Sequence, residues 1–303
     1  MDYSKLVTEN RNPESMDLDK MTSLEAVTLM NSMDAEIPAA VEKALPDIAK
    51  VVDRIADAYN EGGRLVYCGA GTSGRLGVLD ASECLPTFNA GENMVTARIA
   101  GGLKALNTAV EGAEDKSELG VSDLKEIGFN RKDVLVALSA SGSAAYCAGA
   151  LEYARGLGAF TAGVCCVPSP AFTHLCDTLI AVVIGPEVLT GSTRLRSGTA
   201  TKMVLNMLTT VSMVKYGKVY KNLMVDMVPT NKKLIDRAVR IVMMAADIDR
   251  CDAEKYLRQC DNRVKPAIIC SETGADYETA EKALGETSGF VGRAIDLING
   301  RRK

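Results

Sequence analysis

The stretch RLVYCGAGTSGRLGVLDASECLPTF, residues 64–88, decides the fold. It reads as a short apolar strand, a glycine-rich turn and a helix. Such a turn offers free backbone N–H groups and the positive end of the helix dipole to an anion. Thr72 and Ser73 add hydroxyl donors, which suits a phosphate monoester. No lysine follows the final glycine, so this is not a P-loop. Nor is it a dinucleotide fingerprint, because hydroxyl residues occupy positions that would approach a pyrophosphate. Gly71, Thr72 and Ser73 are therefore candidate phosphate-binding residues, the alternative being a merely tight strand-to-helix turn. Glu83 stands on the far side of the helix, just before a proline, and by itself reads as an exposed helix-end residue.

Outward from this unit, four more apolar runs follow: MVTARIAGG (94–102), DVLVALSAS (133–141), AFTAGVCCV (159–167) and TLIAVVIG (178–185). Helix-like stretches, notably LKALNTAVEGAED and AAYCAGALEYARGLG, separate most of them. Strands alternating with helices, and apolar on both faces, predict an α/β domain: a five-stranded parallel sheet flanked by helices. Ligands of open parallel sheets bind at the C-terminal ends of the strands. Two further hydroxyl-rich loops fall there. One carries Ser139, Ser141 and Gly142; the other, 185–202, carries Ser192, Thr193, Arg194 and Lys202. Arg194 is open to either a substrate contact or a structural ion pair. Glu111 and Glu114, one helical turn apart, suggest on their own only a solvated face.

The remainder frames this core. Residues 1–60 read as helical, and a long apolar helix runs from Thr201 to about Tyr220, against the sheet or a partner. After Pro229 come short helices with polar joints. The expected segments are thus 1–60, the α/β domain over 61–230, and a small helical bundle over 231–303. A net charge of −4 without a basic cluster argues against nucleic acid, and no apolar run approaches a membrane span. The opening MDYSKLVTENRNPES is expected to carry no secretion signal. Nine cysteines without a C-x-x-C pair, beside a single histidine, read as buried reduced thiols in a cytoplasmic protein with no metal site. His174 reads as a loop residue, which leaves carboxylates as the natural acid and base. The methionines from 203 to 244 read as core or interface filler.

The hydroxyl loops resemble the sugar isomerase (SIS) domain, a flavodoxin-like three-layer sandwich that binds phosphosugars. GAGTSGRLGVLDASECLPTF, AVEGAED (109–115), GPEVLTGSTRLRSGTATKMVLNMLTT and GKVYKNLMVD together resemble the N-acetylmuramic acid 6-phosphate etherase family. The likeness runs from TENRNPES (8–15) to the C-terminal bundle. It implies cleavage of the D-lactyl ether at C3 of the sugar by elimination and then hydration, without metal or redox cofactor. It places a proton donor at Glu83 and a base acting on C2 of the ring-opened aldehyde at Glu114. The two tasks demand opposite protonation states, so the carboxyls are expected to titrate apart. It also implies a homodimer paired through the long apolar helix, with the site near the subunit interface. For the C-terminal region it implies a three-helix bundle of the ubiquitin-associated type.

The chain departs from the family pattern in places. Ser143, Ala144 and Ala145 replace the usual R-T-P of the second loop, removing a threonine donor. Losing such a donor to a charged acceptor costs about 1.5–3 kcal/mol, and Ser139 is expected to restore a hydroxyl. Leu85 replaces a proline and Asn89 a glycine. Two other readings share the fold. One is a non-catalytic phosphosugar sensor, as in the glucokinase regulatory protein, a relative about twice this length. The other is an aldose–ketose isomerase, which commonly needs a histidine for ring opening. Retention of both glutamates favours the lyase.

Overall fold

The computed structural model describes residues 7–227 and 231–301; the expected boundary at 230, beside Pro229, lies outside them. The chain divides into two compact units, one running through Ser82 and over Asn93–Thr209, the other comprising Glu83–Glu92 and the chain from Thr210 onward.

In the first unit, helices α1 (Ser23–Asp34), α2 (Ile37–Glu42) and α3 (Leu45–Asn60) precede the sheet. The alternating part follows as β1 (Leu65–Gly69), α4 (Gly71–Phe88, of which the residues from Glu83 belong to the second unit), β2 (Val95–Ile99), α5 (Ser117–Glu126), β3 (Val134–Leu138), α6 (Ala145–Gly156), β4 (Phe160–Cys165), β5 (Thr178–Ala181) and α7 (Arg196–Lys215, of which the residues from Thr210 belong to the second unit). All five strands pair in parallel in the order β2-β1-β3-β4-β5, with Leu65 opposite both Val95 and Val134. Every residue of β1 and β3 is buried, as strands covered on both faces require. The chain leaves β1 for β2 on one side and reaches β3 on the other, so a crevice opens beyond the carboxyl ends of β1 and β3.

Close backbone approach sets the geometry there. A Cβ at position 74 would lie 2.6 Å from the Gly69 carbonyl oxygen. Only glycine lets α4 start so tightly against β1. At its other end α4 stops at Asn89, whose φ of 47° is left-handed. Asparagine tolerates that conformation, so it can stand where the resemblance leads one to expect glycine.

The expected helix over LKALNTAVEGAED does not form. A single 3-10 turn spans Leu103–Leu106, and turns continue to α5. Gly112, at φ 69°, breaks the chain between Glu111 and Glu114, so those two do not share a helix face. The region is held instead by α5 packing against α6. Cβ atoms at 120 and 149 would lie 2.2 Å from the carbonyl oxygens of Tyr146 and Ser117. The Tyr146 hydroxyl donates to Asp123 at 2.6 Å, and burial raises the Asp123 carboxyl above its ordinary range.

In the second unit a two-residue hairpin, β6 (Val219–Tyr220) and β7 (Leu223–Met224), leads to α8 (Lys232–Ala246), α9 (Arg250–Gln259), α10 (Val264–Thr273), α11 (Tyr277–Glu286) and α12 (Val291–Arg301). These are five helices where the sequence implied a three-helix bundle. Asn231, Asp249 and Asp276 cap α8, α9 and α11, each accepting from a backbone N–H within the first turn. Val242, Ala267, Ile268, Ile269 and Ala294 form the centre of their core.

All cysteines are free, and all but Cys176 and Cys251 are buried. Burial pushes the Cys165 thiol up to about 11 and the Cys166 thiol to about 12, which keeps both protonated and unreactive at neutral pH. Among the described residues no helix is long and apolar enough to cross a membrane.

Gly149→Ala is expected to destabilise by roughly 1–3 kcal/mol through overpacking, measured as a lower thermal midpoint. Gly156→Ala is the control: its Cβ would meet nothing within 4 Å. Equal midpoints for the two variants would show that the α5–α6 approach is not tight.

Candidate active site

Three loops meet the carboxyl end of the sheet, each beginning where a strand ends. After β1, Gly71 is exposed and Thr72 and Ser73 are half-buried in the first turn of α4. That turn contains no acidic residue, so its free amides and dipole remain available to an anion. After β3, Ser139 is buried, and its carbonyl accepts from the Gly142 amide at 3.0 Å. The Ser141 and Ser143 hydroxyls lie 2.8 Å apart. Ala144 starts α6 without a side-chain cap. After β5, Ser192 and Thr193 are half-buried and Arg194 is exposed. Arg194 makes no ion pair with the described residues, so the structural alternative read from the sequence finds no partner. Thr72 and Gly198 are neighbours, with 3.6 Å from the threonine methyl to a Cβ built on the glycine, which brings the first loop to the start of α7.

The third loop is tied down by a residue the sequence reading overlooked. Glu187 is fully buried. Its carboxylate accepts the Arg196 amide at 2.9 Å, the Ser197 amide at 2.8 Å and the Ser197 hydroxyl at 2.7 Å. The carboxylate thus caps α7, stabilised by the helix dipole, and closes residues 187–197 into a loop. The Arg196 guanidinium donates to the Pro186 carbonyl at 3.2 Å and pairs with Glu36 at 2.6 Å. Lys202, expected among the hydroxyls, is ion-paired to buried Asp80 at 3.0 Å, and Tyr67 donates to the same carboxylate at 3.2 Å.

A cleft of about 310 Å³ lies beside the first loop, lined by Gly71, Arg75, Ala105, Val110, Glu111 and Glu114 among others. Its polar groups are the α4 amides, one guanidinium and two carboxylates. The Tyr146 amide donates to the Glu114 carbonyl at 2.9 Å, so the first turn of α6 fixes the backbone that carries Glu114. Arg75, also unremarked in the sequence, donates its Nε–H to the Leu106 carbonyl at 3.0 Å. Glu83 is exposed, three turns along α4, and does not line this cleft. The structure therefore gathers Gly71 and Glu114, brings Thr72 to the third loop, and leaves Glu83 apart.

Comparison with known proteins adds to this geometry. The chain is 54% identical over 293 residues to N-acetylmuramic acid 6-phosphate etherase 2 of Vibrio cholerae serotype O1, covering 97% of this chain and 95% of that one. The chain belongs to the N-acetylmuramic acid 6-phosphate etherase family. A second family member, from Brucella anthropi, is 51% identical, with 97% and 96% covered. Residues 47–155 match the family model of the glucokinase regulatory protein N-terminal SIS domain. Among solved structures, a phosphoheptose isomerase from Francisella tularensis superposes with a TM-score of 0.52 at 20% identity, covering 64% of this etherase-family chain and 100% of that one. That likeness shows the fold alone.

Glu187→Gln would place an amide NH₂ against backbone donors and remove the capping charge. The expected loss is roughly 1–3 kcal/mol, with faster amide hydrogen exchange at Arg196 and Ser197. Unchanged exchange at both amides would show that the carboxylate does not hold the loop.

Proposed function

We propose that this chain cleaves the D-lactyl ether of N-acetylmuramic acid 6-phosphate, giving N-acetylglucosamine 6-phosphate and D-lactate. The observation that carries this reading is the 54% identity to a curated etherase across 97% of the chain. The hydroxyl loops, with Thr72, Ser73, Ser139, Ser141, Ser192 and Thr193, supply neutral donors suited to the phosphate, together with the Gly71 amide and Arg194, which has no ion pair among the described residues; Gly142, its amide given to the Ser139 carbonyl, shapes the second loop.

In the proposed mechanism Glu114 removes the C2 proton of the open-chain aldehyde, whose carbonyl stabilises the carbanion. The C3–O bond then breaks, and Glu83 protonates the departing lactate oxygen. Water adds to C3 of the unsaturated aldehyde and C2 is reprotonated, which restores the sugar. Oxidation states balance without a redox partner, and carboxylates suffice as acid and base.

The composite site is assigned to a homodimer. Glu83 lies about 18 Å along α4 from Gly71 at 1.5 Å per residue, further than one sugar ring spans. A second copy is therefore the natural source of one of the two carboxylates. Val211 and Val214, exposed on α7, suit an interface through that helix. The division into an N-terminal segment 1–60, a phosphosugar-binding domain 61–230 and a C-terminal bundle 231–303 belongs to the same proposal. So does a cytoplasmic location, which suits nine free thiols.

The decisive experiment follows N-acetylmuramic acid 6-phosphate by NMR in heavy water. Wild type is expected to release lactate and leave deuterium at C2. Glu83→Ala is expected to exchange C2 while losing lactate release by roughly 100-fold or more; Glu114→Ala is expected to do neither. A wild type that releases no lactate, yet is stabilised thermally by the sugar phosphate, would identify a sensor instead. For the dimer, mixing inactive Glu83→Ala and Glu114→Ala chains is expected to restore activity, because a heterodimer regains one complete shared site. Persistent inactivity of a verified heterodimer would mean that each chain carries both groups.

A further inference from the structure

We propose that Arg75 binds the carboxylate of the lactyl group and selects for an anionic ether substituent. This assignment rests on the etherase reading and deepens it.

Arg75 is the one cation among the described residues lining the 310 Å³ cleft that contains Glu114. Its Nε–H is committed to the Leu106 carbonyl at 3.0 Å, which fixes the plane of the guanidinium. Its Nη groups have no hydrogen-bond or ion-pair partner among the described residues, although Glu111 and Glu114 line the same cleft. Elsewhere in the first unit Lys202 is neutralised by Asp80, Arg64 by Asp133 and Arg196 by Glu36, while Arg98 on β2, which does not line this cleft, donates only to the Ala97 carbonyl. A half-buried guanidinium with its Nη edge unpaired presents two parallel donors, the geometry that grips a carboxylate in bidentate fashion.

The substrate carries two anions, and the fold offers two places for them. Thr72 neighbours Gly198 at the start of α7, beside Thr193 of the third loop. Arg75 instead bonds to the segment after β2, the segment that also carries Glu114. The lactyl ether hangs on C3, the carbon next to the one Glu114 attacks, whereas the phosphate sits at the far end of the sugar on C6. The anion next to Glu114 is therefore the lactyl carboxylate. Held there, the guanidinium also offsets the charge that develops on the leaving oxygen before its protonation.

The test compares N-acetylmuramic acid 6-phosphate with its lactyl carboxamide, using wild type, Arg75→Met and Arg75→Lys, with calorimetric binding of N-acetylglucosamine 6-phosphate as the control. Wild type is expected to favour the acid in kcat/KM by roughly 10- to 100-fold, the worth of a charge-assisted pair. Arg75→Met is expected to lose that preference by slowing on the acid alone, while binding of N-acetylglucosamine 6-phosphate, which lacks the lactyl group, stays within about twofold of wild type. Arg75→Lys keeps the charge without the fork and is expected to fall between the two, so a variant of either kind that folds is informative. Equal losses on acid and amide, or matching weakening of N-acetylglucosamine 6-phosphate binding, would overturn the assignment and leave the etherase reading intact. A wild type that cleaves neither compound would overturn both.

Discussion

No side chain larger than hydrogen fits at position 74, because the Gly69 carbonyl oxygen would lie 2.6 Å from its Cβ. That one exclusion fixes the rest of the crevice. It lets α4 begin immediately after β1, so its unpaired amides sit at the carboxyl edge of the sheet. It sets the direction of α4, and hence which residues of the helix reach the segment after β2 and which approach α7. A methyl group there would push the helix outward and carry both Thr72 and Arg75 with it.

The chemistry assigned to this crevice relies on neutral donors and dipoles more than on lysine. The cation expected beside the third loop, Lys202, is spent on buried Asp80. The one buried carboxylate of that loop, Glu187, faces backbone amides rather than the crevice. Charge is thus kept for the places where its effect is local: a cap that shapes a loop, and a guanidinium beside a carboxylate.

Much of the fold was legible in the sequence, for reasons visible in particular residues. LVYCG and VLVAL are buried along their whole length, so their apolar runs report the sheet directly. The hydroxyl loops announced themselves through glycine and serine at strand ends. The helix expected over 103–115 was misread because its apolar spacing outweighed Gly112, whose left-handed φ ends any regular run. Glu187 and Arg75 were passed over because their partners are backbone groups, at 196–197 and 106, and a backbone partner leaves no mark in the residue pattern. Beyond 231, polar joints marked the helices, but the resemblance implied three where five stand.

The strand order has a last consequence. Because β1 sends its chain to β2 on one flank while β3, β4 and β5 build the other, the crevice has two walls drawn from different parts of the chain. The turns from Leu103 to Lys116 lie on the first flank and the serines after β3 and β5 on the second, and the Tyr146 amide on the Glu114 carbonyl joins the two. A fold arranged this way assigns its hold on one end of a sugar and the reaction at the other end to separate segments. The division between grip and reaction is built into its topology.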